Sequence, residues 1–180
     1  MKDSYRICHV PGFPALDTAT HRWAAALALC AAGWALASCA STADVQAAPE
    51  AHHPDCAEVM LTLPEQIGGF EQRPTASQAT SAWGDPLAVV LRCGVEPVLE
   101  PTELPCVAPS GVDWVWVEHE EHTQLISYGR EPAVELLIEN EHINESTMMD
   151  VQVALSAPVT RIDQSRECLA MNDVDPESEL

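Results

Sequence analysis

One uncharged stretch divides this chain into parts with different fates. From Trp23 to Ser38 no residue carries a charge, and Lys2, Arg6 and Arg22 lie ahead of it. These 16 residues fall short of the roughly 20 that a bilayer span needs. They suit instead the hydrophobic region of a secretory signal behind a basic start. A chain that leaves the cytoplasm folds in an oxidising compartment, and that fixes how its cysteines behave.

The run ends in Leu36-Ala37-Ser38-Cys39, which resembles the lipobox of bacterial lipoproteins. Small residues let the peptide enter a signal peptidase in extended form, and the Cys39 thiol is the group that takes a diacylglyceryl chain. The expectation is a signal peptide over 1–38, removed to leave Cys39 as the lipidated first residue. Cleavage after Ala40, giving a soluble secreted protein, and retention as an uncleaved anchor are the rival outcomes. Residues 39–54 lack periodicity and large apolar side chains and read as a flexible tether. The folded unit is then expected over 55–172, with an acidic tail over 173–180.

Of the seven cysteines, Cys8 and Cys30 leave with the signal and Cys39 takes lipid. Cys56, Cys93, Cys106 and Cys168 remain, and four thiols allow three pairings that sequence alone does not choose among. Cys56–Cys93 and Cys106–Cys168 are the expected bridges. Close Cys-x-x-Cys pairs, which a structural zinc site would want, are absent from the sequence.

Charge excludes some partners. The whole chain has a formal charge of -20. The first 38 residues hold three basic and two acidic side chains, so the remaining 142 carry -21 and no lysine. Such a surface does not attract nucleic acid or anionic lipid. Hydrophobic residues at 47% still supply a core.

The pattern predicts a small α+β domain. Asp55 can cap a helix that turns Cys56, Val59, Met60 and Leu63 inward. Strands are expected over Leu87–Gly94, Val112–Glu118 with Trp114 and Trp116 on one face, Thr123–Tyr128 and Ala133–Glu139. The proline-rich stretch 96–109 reads as loop. A C-terminal helix is expected between Met149 and Leu169, interrupted or restarted at Pro158. The predicted architecture is thus a sheet of about four antiparallel strands with an N-terminal and a C-terminal helix on one face.

Two constellations could carry chemistry. Glu118-His119-Glu120-Glu121-His122 is the most metal-like patch, with His119, Glu121 and His122 as weak ligand candidates. Its histidines lack the four-residue spacing of a helical zinc motif, and in a hairpin they point apart unless the turn folds them back. A solvated acidic loop is the plainer reading, so no metal and no cofactor is expected. The second is Arg92 and Arg130, two of five arginines after residue 38, both placed near strand ends. Either they pair with Asp85 and Asp113 to close the strands, or their planar forks grip an anionic ligand in a pocket. The sequence has no nucleophile elbow and no phosphate-cradling glycine loop, so no catalytic residue is assigned and the chain is not expected to be an enzyme.

Several motifs in order resemble a family of actinobacterial exported proteins, domain of unknown function 3515. They are Asp55-Cys56, Leu63-Pro64, Trp83-Gly84-Asp85-Pro86, and Val90-Leu91-Arg92-Cys93-Gly94-Val95. Cys106, Gly111-Val112-Asp113-Trp114, Tyr128-Gly129-Arg130 and Pro132-Ala133-Val134-Glu135 follow, covering about residues 55 to 165. The resemblance implies an envelope protein, either a lipoprotein or membrane-anchored, with a link to cell-wall physiology; with the lipobox it leads to the expectation of a lipid anchor on the outer side of the cytoplasmic membrane. It brings no assigned activity, cofactor or catalytic residue. The expected function is a non-enzymatic binding module whose partner is an envelope protein or wall component. The runner-up is a module for a small molecule or divalent cation; an enzyme acting on envelope precursors ranks third.

Overall fold

The computed structural model describes residues 42–99 and 104–168. The signal segment, Cys39 and the acidic tail from Asp173 lie outside them. The elements in chain order are α1 (Pro54–Leu61), β1 (Gln66–Ile67), β2 (Phe70–Arg73), β3 (Thr80–Trp83) and β4 (Val89–Val95). β5 (Cys106–Val107), a 3-10 turn at Pro109–Gly111, β6 (Trp114–Glu118), β7 (His122–Ser127), β8 (Ala133–Glu139) and α2 (Glu145–Val159) follow. All strands join one antiparallel sheet in the order β1-β2-β3-β4-β8-β7-β6-β5.

The α+β class, the antiparallel sheet and the two helices match the sequence reading, but the sheet has eight strands where about four were expected. The four expected strands are β4, β6, β7 and β8. β1 and β5 are two residues long, too short to show a period. β2 has one apolar residue in Phe-Glu-Gln-Arg, and β3 reads Thr-Ser-Ala-Trp. In β8, Val134, Leu136 and Ile138 face the main core.

Both helices pack on one sheet face. Cys56 and Val59 of α1 and Met148, Val151, Leu155 and Val159 of α2 share a core with Trp83, Leu91, Trp114, Leu125 and Leu136. Their starts differ from the sequence reading. His53, not Asp55, caps α1, its Nδ1 accepting the Asp55 N–H at 3.3 Å. Pro54 takes the first helical position, where its missing N–H costs nothing. Asn144 caps α2 by accepting the Thr147 N–H at 3.0 Å, so the helix begins before Met149 and runs through Pro158 to Val159.

The opposite face is covered by the stretch that the sequence presents as a tether. Ala43 and Val45 pack with Ala82 and Val90, and Ala48 packs with Val95 and Ala133. The Ala43 N–H donates to Pro74 O at 2.9 Å, and the Glu50 N–H donates to Gly94 O at 2.9 Å. Among the described residues, the packed part therefore reaches back to Ala43, ahead of Asp55. Small side chains carry little hydrophobic signal, yet they let an extended chain lie flat on a sheet. Among the described residues no helix is long and apolar enough to cross a membrane.

Two disulfides close the structure, Cys56–Cys93 and Cys106–Cys168, with Cα separations of 5.6 and 6.0 Å. The first joins α1 to β4 within the core, where Cys56 and Cys93 are 1% and 0% exposed. The second ties β5 to the end of the described chain, where both cysteines are half-buried.

Candidate functional site

On the sheet face away from the helices, one residue from each of several strands builds a polar chain. β4 and β8 pair in register at Arg92 and Glu135, so their side chains rise side by side. The Arg92 Nε–H donates to Glu135 Oε2. Gln124 of β7 donates from Nε2 to Glu135 Oε1 at 2.6 Å, and Gln124 Oε1 lies 3.3 Å from His119 Nε2. The Glu135 side chain is 3% exposed and that of Arg92 25%. A carboxylate so buried needs a cation and further donors, and Arg92 with Gln124 supplies both.

The chain ends at the β6–β7 hairpin. The turn folds back, the condition under which the sequence reading let the two histidines meet, and the His119 and His122 rings stack with centroids 4.5 Å apart. Asn140, just after β8, locks this tip to the next connection. Its N–H donates to Glu121 O at 3.0 Å, its side-chain Nδ2 donates to His119 O at 3.2 Å, and its Oδ1 accepts from Thr123 Oγ1 at 2.9 Å. A depression of about 600 Å³ beside it is lined by Glu120, Glu121, Glu139, Asn140 and Glu141. Among the described residues no three His, Cys, Asp or Glu side chains are gathered to hold a metal ion.

The four residues expected as one arginine–aspartate cluster lie in three places. Arg92 pairs with Glu135, not Asp85. The Asp85 carboxylate, 84% exposed, lies 3.5 Å from Arg73. Arg130 and Asp113 do share a neighbourhood, at the opposite end of the strands from the hairpin. The Arg130 guanidinium donates to Ile162 O and to Gln164 Oε1, the latter at 2.9 Å. Asp113 Oδ2 accepts from Gln164 Nε2 at 2.8 Å and from the Cys168 N–H at 2.7 Å. Burial lowers the Arg130 pKa from its ordinary value, opposed by the nearby charges of Asp113 and Asp163. Arg130 Nε is buried without a partner. This arrangement straps the C-terminal segment 160–168 to the turns at 109–113 and 128–130. The two arginines thus have separate partners and do not converge on a shared ligand.

Sequence reasoning singled out Arg92 but missed Glu135, Gln124 and Asn140. Glu135 had a visible signal: a carboxylate flanked on both sides by apolar residues of a strand asks for a partner across the sheet. Gln124 and Asn140 had none, because their partners come from the pairing of distant strands.

An open eight-stranded sheet with helices on one face, an extended segment on the other and two disulfides defines a stapled α+β domain. The chain belongs to the family described as protein of unknown function DUF3515, whose pattern matches residues 23–173. The match takes in the apolar run from Trp23 and the stretch packed on the sheet, and so is wider than the motifs alone delimit. No curated protein matches the chain, and no solved structure does.

Proposed function

We propose that this chain is a cell-envelope lipoprotein, anchored through Cys39 on the outer side of the cytoplasmic membrane. Its domain serves as a non-enzymatic binding module for an envelope protein or a wall component. The observation that carries the reading is the agreement between the two parts of the chain. An uncharged run ending in Leu-Ala-Ser-Cys is followed by a domain whose four cysteines are all paired, the state that an oxidising compartment favours. The family match, which includes the apolar run, supports the same reading, as does the polar bonding of Arg92, Glu135, Arg130 and Asp113 to protein partners rather than around a cleft. The actinobacterial setting and the link to wall physiology rest on the motif resemblance.

The test is direct. Mass spectrometry of the N-terminal peptide from the membrane fraction is expected to find diacylglyceryl on Cys39, and Cys39→Ala is expected to abolish partition of the mature form into detergent. An unmodified Cys39 at a retained signal would reject the reading. Crosslinking in intact cells followed by affinity capture identifies the partner. A second reading, binding of a divalent cation at the hairpin tip, has the stacked His119 and His122 in its favour. Calorimetry with Zn²⁺ and Ca²⁺, on the native chain and on His119→Ala/His122→Ala, decides it; absence of binding to the native chain rejects it.

A further inference from the structure

The packing of residues 43–50 on the sheet leaves little free chain between the anchor and the domain. Four peptide steps separate Cys39 from Ala43, so the two Cα atoms lie at most about 14 Å apart. Ala43 is not loosely placed: its N–H is bonded to Pro74 O, it pairs with Thr75, and it is 6% exposed. Pro74 and Thr75 directly follow β2, beside the β1–β2 edge of the sheet. An acyl chain on Cys39 therefore brings this edge to the bilayer surface.

We infer that the anchored domain is held against the membrane by the edge formed by β1, β2 and the end of α1, with phospholipid headgroups as the facing surface. This rests on the reading of Cys39 as acylated. The edge has the chemistry for such contact. A depression of about 320 Å³ is lined by Gly69, Phe70, Glu71, Arg73, Gly84 and Asp85, giving a half-buried ring beside a cation paired with an exposed carboxylate. Leu61, at the end of α1, is 81% exposed, the highest value among the exposed large hydrophobic residues described. It lies three residues before Pro64, whose carbonyl accepts the Trp83 Nε1–H at 3.1 Å, next to Gly84 of the depression. A leucine so placed gains by resting at a lipid interface. The formal charge of -21 left after residue 38 does not draw the domain to anionic lipid. Contact is imposed by the short leash, whose reach of about 14 Å is less than two screening lengths of ~8 Å at physiological salt.

The experiment uses the full chain, processed and reconstituted in phosphatidylcholine–phosphatidylglycerol liposomes. Nitroxide labels are attached through a keto amino acid, which leaves the disulfides untouched, at Leu61, Phe70, Glu120 or Met149. Collision with lipid-soluble oxygen relative to a water-soluble nickel chelate is expected to be several-fold higher at positions 61 and 70 than at 120 and 149. Insertion of twelve Gly/Ser residues between Ala40 and Ser41 is expected to remove the difference. Mass spectrometry of the same samples reports acylation. Acylated Cys39 with all four positions equally exposed to the chelate overturns the orientation while leaving the lipoprotein reading intact. Unacylated Cys39 overturns that reading and the orientation with it. Contact that survives the inserted linker overturns the leash as its cause.

Discussion

At the scale of single residues, the Arg92–Glu135 pair makes the sharpest energetic statement. Glu135 is almost sealed from solvent and Arg92 is a quarter exposed, so removing either partner strands a charge in a poorly hydrated place. Arg92→Ala or Glu135→Ala is expected to destabilise the domain by about 2–3 kcal/mol, discounted for the exposure of Arg92. Arg92→Met/Glu135→Leu is expected to recover most of that loss, because an apolar pair removes both charges together. Urea denaturation of the three variants against the native chain reads these differences. Gly94 sets a steric limit of another kind: at φ +94 a Cβ would overlap the backbone of Glu50. Gly94→Ala is expected to cost more than the usual glycine replacement and to raise amide exchange in residues 43–50. Of these residues, Arg92 drew attention as one of few cations. Its partner, 43 residues away, could be found only once β4 and β8 were known to be neighbours.

At the scale of elements, legibility followed length and period. β4 and β8 are seven residues each, and their apolar faces are plain in the sequence, as is the paired Trp face of β6. The shorter strands form because neighbours already in place offer their backbone groups, a cause that no local window contains. The N-terminal stretch reads as a linker for a related reason: its small Ala43, Val45 and Ala48 carry too little hydrophobic signal to mark a packed segment until a sheet lies beneath them. A chain starting at Asp55 is therefore expected to lose about 3 kcal/mol or more relative to one starting at Ala40, by uncovering Ala82, Val90 and Ala133. It should also melt at lower temperature and aggregate, which calorimetry and light scattering would show. The disulfides differ in burial, and their reduction is expected to follow it. Mild dithiothreitol should open the half-buried Cys106–Cys168 first, while Cys56–Cys93 resists until the core unfolds; timed alkylation with mass spectrometry reads the order. Equal rates would mean that the core opens as readily as the surface.

At the scale of the whole molecule, acidity and anchoring have to be considered together. Under the proposed anchoring at Cys39, a domain of this charge on a long tether would stand away from anionic lipid and wall polymer, whereas one whose packing reaches back to Ala43 has no such freedom. Cys39→Ala should therefore change both the partition of the protein and its orientation at the surface, and partition can be followed alone by detergent phase separation. The strand order holds one more consequence. β1 to β4 and β5 to β8 are each a run of sequential neighbours, and the two runs meet only where β4 lies against β8. The sheet is thus two meanders welded along one seam. Each can zip up from local hairpins, but the seam must be found by search across the chain. A slip of one residue there would turn Val134, Leu136 and Ile138 away from the helices. It would also separate Arg92 from Glu135, so this buried ion pair acts as the key that admits one alignment of the two halves.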